Sequence, residues 1–199
     1  MGDEGESDAS VPGRRNIPVQ RNGFNAQEAA FDQGIRVESA VVFDFVSYWS
    51  VVDRAIVIQA DLSGHVRNEV IAHAVAHIEM ADSLELAAAL DGDRWRGRVE
   101  MQVHEVVAHR LIPIADLRDA LEVANDLPTV AALLGVTEFL LGWRLQNLAN
   151  EEFAAIPPHL LDRLGWLPGM PSEYPYRCLW PTSSSGDVLR QLAPGRHHR

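Results

Sequence analysis

Residues 68–80 read Asn68-Glu-Val-Ile-Ala-His73-Ala74-Val-Ala-His77-Ile-Glu-Met80. The stretch holds no glycine or proline, and it predicts a helix from about His65 to Glu79. His73 and His77 stand four apart, so both imidazoles fall on one helical face, about one turn from each other. Two neutral imidazoles so placed can share one metal ion and leave positions for a third ligand and a water. The plain alternative is a pair of helix histidines, one of them partly buried and hydrogen-bonded.

On the N-terminal side, Asn25 with Glu28 three residues later predicts a capped helix over roughly 26–33, with Gly34 just past its end. Ala40–Trp49 is dense in β-branched and aromatic residues, and Arg54–Ala60 is a second apolar run. Together they predict a hairpin or short meander. Asp61-Leu62-Ser63-Gly64 is the turn before the histidine helix. On the C-terminal side, Leu84–Leu90 reads as a further helical turn or two, and Gly92 and Gly97 bracket a loop. Arg98–Leu111 is helical as far as Pro113, and Ala115–Ala124 is helical again. Pro128–Leu134, Gly135 and Thr137–Leu148 form a helix–turn–helix pattern. Residues 157–181, with Trp166, Pro168, Pro171, Pro175, Trp180 and Pro181, read as an arm wrapping the surface.

The chain has 199 residues, 47% hydrophobic and 23% charged, enough to bury one substantial core and too apolar for a disordered chain. One domain over 24–181, including the helical pair 128–148, is expected between an acidic tail at 1–23 and a flexible tail at 182–199. A short helix is expected at Asp187–Leu192 within that tail, and His197 and His198 belong to its end. No apolar run has the 18 or so residues of a membrane span, and no signal sequence opens the chain. The lone Cys178 leaves no internal disulfide and reads as a small buried hydrophobe, so the expected compartment is the cytoplasm. The net charge of −11 argues against a nucleic-acid backbone as partner. All 17 basic residues are arginine, which removes lysine-dependent chemistry.

A metal site needs a third ligand. In the helix from Arg98, the apolar positions Val99, Val103, Val106, Val107 and Leu111 mark the inward stripe. Glu100 flanks that stripe and can point toward the histidine helix, whereas Glu105 lies on the opposite side. Asp82, close after the histidines, is a weaker choice. The run His104-Glu105-Val106-Val107-Ala108-His109 is a decoy, because an i,i+5 pair sits about 140° apart around a helix. The histidine pair itself matches the zincin pattern H-E-x-x-H with one break: Ala74 stands where the glutamate belongs.

The order of these parts resembles the ImmA/IrrE family of zinc metallo-endopeptidases. The strand RAIVIQA is followed by a turn, the helix NEVIAHAVAHIE, then RVEMQVHEVVAHRLIP and ALEVANDLPTVAALLGVTEFLLGWRLQNL. Glu100 matches the family's third zinc ligand, and Val103 takes the place of the small residue after it. Leu111-Ile112-Pro113 matches the stop after that helix. Gly135-Val136-Thr137 matches the turn of the following helical pair, with Arg144-Leu145 near its end. The resemblance covers about residues 25–150 and is strongest to the short versions of actinobacteria and their phages.

The resemblance implies an α+β fold: a zincin-like metallopeptidase domain with a small antiparallel-type sheet packed on the active-site helix, then a C-terminal helical bundle. It implies Zn²⁺ held by His73, His77 and Glu100. It implies an intracellular, site-specific endopeptidase that cleaves a repressor or regulator, often of helix-turn-helix type, in mobile-element induction or a stress response. The substrate would add as a strand along Ala40–Trp49 or Arg54–Ala60. In the family the glutamate after the first histidine is the general base, and its loss costs about 10²–10⁴-fold in rate. The chain as written is therefore expected to bind metal and to be nearly inactive. Two explanations are open: an alanine introduced to trap a substrate, favoured by the survival of every ligand, or a natural pseudopeptidase that holds its partner uncut. Tyr48, His65, His104 and Arg144 are candidates to stabilise an oxyanion. Arg144 reads better as structural, paired with a buried acid. Glu138–Leu148 is too apolar for a DNA recognition helix and reads as packed core.

Overall fold

The helix foreseen around the histidines runs from Gly64 to Ser83, and its middle is covered on every side. Each residue from Val70 to Ile78 is at most 2% exposed. Such burial suits a segment that is apolar apart from His73 and His77, with Ala72, Ala74 and Ala76 letting neighbours approach closely. The computed structural model describes residues 23–41, 46–50, 52–83, 93–124, 126–161 and 178–179. In chain order the elements are α1 (Ala26–Asp32), β1 (Arg36–Ala40), β2 (Ser47–Ser50), β3 (Ala55–Gln59), α2 (Gly64–Ser83), α3 (Asp93–Leu111), α4 (Ile114–Val123), α5 (Leu127–Leu134), α6 (Glu138–Gln146), α7 (Asn150–Ala155), α8 (Pro158–Leu161) and β4 (Cys178–Leu179). The fold is α+β, mostly helical with one small sheet.

That sheet is mixed, which corrects the antiparallel expectation. Its order is β1-β3-β2-β4. β2 and β3 form the expected antiparallel hairpin, with Trp49 opposite Ile56. β1 lies parallel on the other side of β3, and β4 lies parallel against β2 at Ser47 and Tyr48. Ala55-Ile56-Val57-Ile58 is buried throughout. A continuous apolar run covered on both faces is the pattern of a strand with a parallel neighbour. Only the ends of the stretch Ala40–Trp49 fall in described strands: Ala40 closes β1, and Ser47–Trp49 belong to β2. One straight strand cannot lie on both sides of β3. β1 gave little sequence signal because Arg36, Glu38 and Ser39 are exposed.

Local chemistry closes the joints around α2. The Asn25 side chain accepts from the Gln27 and Glu28 amides, capping α1. Asn68 on α2 accepts from the Ala26 amide and donates to the Phe24 carbonyl, which ties α1 to α2. Gly34 follows α1 at φ +68°, the left-handed conformation that glycine adopts without strain. Arg54, in the β2–β3 turn, adopts φ +43° at a cost of about 1 kcal/mol. Its guanidinium offsets this by donating to the Gln33 carbonyl at 3.0 Å.

Other boundaries move. α3 begins at Asp93, so Gly97 lies inside a helix rather than at a loop edge. α7 and α8 were not foreseen. The segments expected at Leu84–Leu90 and Asp187–Leu192, both tails apart from Gly23, and most of the 157–181 arm fall outside the described residues. The α5–α6 pair turns at Gly135, φ +66°, as its sequence predicts. α6 packs inward through Phe139, Leu140 and Leu141.

Arg144 is 1% exposed and structural, as expected. Its Nε donates to the Ile112 carbonyl at 3.3 Å, and Nη1 and Nη2 grip both oxygens of Glu152. One side chain thus joins the end of α3, α6 and α7. The Arg144 hydrogen bonds hold the Glu152 carboxyl down, from its ordinary 4.5 to about 2. A carboxyl depressed in the folded state adds stability above its unfolded pKa, and that stability is lost as pH falls through the folded value. Glu152→Gln is expected to cost about 1–3 kcal/mol at pH 7. In urea unfolding, its gap to the wild type should close as pH falls from about 4.5 towards 2. A gap that stays constant over that range would locate the stabilisation elsewhere.

Candidate metal centre

α2 supplies two imidazoles from adjacent turns, and α3, packed beside it, supplies a carboxylate. His73 Nε2 and His77 Nε2 lie 3.1 Å apart. His73 Nε2 is 3.2 Å from Glu100 Oε2, and His77 Nε2 is 3.2 Å from Glu100 Oε1. The histidine side chains are 1% and 2% exposed, whereas that of Glu100 is 29% exposed and forms the solvent-facing side of the trio.

Protons alone satisfy this triangle poorly. Three close edges ask for three linear hydrogen bonds, but two neutral imidazoles with Nε2 facing inward supply at most two protons there. A cation at the centre satisfies all three donors at once. Bonds of about 2.0–2.1 Å to a tetrahedral divalent ion put donor atoms roughly 3.3 Å apart. His73, His77 and Glu100 are the group of ligand residues, among those described, whose donor atoms come together closely enough to hold a metal ion.

The electrostatics point the same way. Burial lowers the pKa of His73, and Glu100 beside it counteracts only part of that, so the imidazole is a neutral donor near pH 7. Burial by itself would raise Glu100, but its hydrogen bonds with His73 and His77 outweigh burial and hold the carboxyl well below the usual range. Two imidazole nitrogens, which are neutral when they coordinate, and one carboxylate make a donor set of net charge −1, suited to a divalent cation.

Aromatic rings frame the trio. Trp49 of β2 stacks on His77, with ring centroids 4.7 Å apart and planes 13° from parallel. The His104 ring lies 5.2 Å from that of His73, and Phe139 and Trp143 of α6 close around His104. His104 is pushed down to about 4 by burial and then by His73 beside it.

Among the candidate oxyanion stabilisers, His104 alone stands at the trio. Strand alternation puts Tyr48 on the face of β2 opposite Trp49, away from His77. His65 is exposed at the start of α2, about 12 Å along the axis from His73. Arg144 is committed to Glu152. Glu105 is exposed, and His109 faces Glu152 at 3.6 Å, so neither joins the trio. The Asp82 side chain falls outside the described residues. Ala74 is wholly buried within the main core. β3 is interior to the sheet and cannot offer the substrate edge expected of Arg54–Ala60. β2 pairs at Ser47 and Tyr48 with β4 on its outer side.

Sequence reasoning missed Trp49 and Glu69. Glu69, fully buried one turn before His73, accepts from the Thr137 amide at 3.0 Å and from its hydroxyl at 2.9 Å. Neither residue belongs to a spacing rule; a charged residue inside an apolar helix was the one available hint for Glu69. Comparison of the chain with protein-family models, curated proteins and solved structures finds no match.

The geometry predicts a ranking of variants. Titrated with Co²⁺ and followed by visible absorption, His73→Ala and His77→Ala should lose binding, and Glu100→Ala should weaken it strongly. His109→Ala should bind one ion as the wild type does, and so should His104→Ala. The reverse ranking would mean that the ion sits on another face of α3.

Proposed function

We propose that this chain is a zinc metallo-endopeptidase domain of ImmA/IrrE type, directed at a repressor or regulator protein inside the cell and silenced as written by Ala74. The observation that carries the reading is the convergence of His73 Nε2, His77 Nε2 and the Glu100 carboxylate to within 3.1–3.2 Å of one another. The order of motifs around that trio, from RAIVIQA to the α5–α6 pair, supports it as a resemblance.

Zinc held by these three residues would supply Lewis acidity and acidify water to a pKa of about 7. The chain's own residues do the rest of what the site can do. His73 and His77 offer imidazole nitrogens from a buried helix. Glu100 balances part of the charge and lies at the solvent side, where a peptide can approach. His104 is the one further polar ring beside the trio. A methyl group at position 74 can neither take nor return a proton, so hydrolysis lacks its relay while metal binding is untouched.

One observation favours the second reading, a natural pseudopeptidase that binds its regulator without cutting it. Ala74 is 0% exposed and belongs to the main core cluster. A site shaped for a buried methyl group is what long-standing loss of the glutamate would leave, and overpacking it costs about 1–3 kcal/mol.

Ala74→Glu separates the two. Expressed in the source cells, it should generate new protein N-termini, detected by terminal proteomics, that are absent with the unsubstituted chain and with Ala74→Glu/His77→Ala. Restored cleavage should exceed that of the alanine form by about 10²–10⁴-fold. A folded, zinc-loaded Ala74→Glu protein that yields no new termini would favour the non-catalytic binding module.

A further inference from the structure

We propose that Trp49 is a positioning residue of the metal centre: its indole face holds the His77 ring in the orientation that aims Nε2 at His73 and Glu100, and favours the metal-loaded state. The inference rests on the zinc reading of the trio and adds a residue to it. Its basis is the stack between Trp49 and His77, 4.7 Å between centroids and 13° between planes, formed across two different elements.

The helix backbone sets where the His77 ring begins but leaves its two side-chain torsions open. The outer torsion of histidine is broad, so α2 by itself does not fix the tilt of the ring plane. Trp49 removes much of that freedom. It is 3% exposed and stands on β2 opposite Ile56, itself fully buried, so the indole is held by the sheet. His73 meets His77 nearly edge-on, with centroids 4.8 Å apart and planes 67° apart. His77 is therefore bounded by a flat indole and by the edge of the other ligand. A ring parallel to the indole can slide in its plane but cannot tilt out of it without losing the stack.

The stack also acts on charge. The face of an indole is negative, and it attracts a ring that carries positive charge more than a neutral one. An imidazole that donates to a divalent ion becomes more positive, so the contact strengthens on loading. Outer groups that orient a metal-bound histidine by hydrogen bonding typically change metal affinity by about 10–100-fold when removed, and the same scale is expected of this stack.

The test uses the full chain. Zinc affinity is measured by competition with a chromophoric chelator for the wild type, Trp49→Phe and Trp49→Met. Both substitutions remove volume from the core, but only phenylalanine keeps a ring against His77. The expected result is affinity near that of the wild type for Trp49→Phe and a loss of about 10–100-fold for Trp49→Met. A merely structural Trp49 would lower both affinities in step with lost thermal stability, and that pattern would overturn the proposal. A second readout does not depend on the methionine variant folding. With 5-fluorotryptophan in the five tryptophan positions, the ¹⁹F resonance missing from Trp49→Phe should move when zinc is added to the wild type. Zinc bound with that resonance unmoved would overturn this inference alone, whereas a wild type that binds no zinc would overturn the metal reading as well.

Discussion

Burial of α2 places Glu69, His73 and His77 inside the protein, and each must be satisfied there. An unsatisfied buried polar group costs about 1–3 kcal/mol, a sizeable part of a domain's stability. Glu69 meets this demand through Thr137 at the head of α6. His73 and His77 face each other and Glu100 of α3, a triangle that a bound cation would satisfy in full. The positions of α3 and of the α5–α6 pair are therefore linked to α2 by polar contacts as well as by packing. The same carboxylate, Glu69, satisfies the Thr137 amide while the Thr137 hydroxyl caps the Leu140 amide.

Arg144 plays the corresponding part on the far side of α3. Its bidentate grip on Glu152 and its bond to the Ile112 carbonyl hold the end of α3 against α6 and α7. Glu100 belongs to the same helix, so a clamp on its C-terminal end helps hold the carboxylate in line with the histidines.

The metal ligands and position 74 obey different constraints. Ligation needs two imidazoles and one carboxylate at fixed separation, and the buried helix pair provides those without reference to position 74. A general base needs a side chain long enough to reach a reacting atom, which alanine lacks. On the proposed reading, this separation lets a chain keep a candidate metal centre while lacking a general base. Trp49 belongs with the first constraint, since it touches a ligand from the sheet and has no proton to exchange with a substrate.

The amino-acid sequence by itself determined the helix around His73 and His77, the cap at Asn25, the turns at Gly34 and Gly135, and the structural use of Arg144. These are local matters of spacing, capping and conformational freedom, or a buried charge that requires a partner. It also singled out Glu100, because the apolar stripe of α3 shows which way that helix faces. Only the tertiary structure decided that β1 lies beside β3, that Trp49 covers His77, that Glu69 reaches Thr137 and that His104 stands against His73. Those contacts join elements far apart in the chain, and no periodicity within one segment encodes which ring or carboxylate another segment will bring to it.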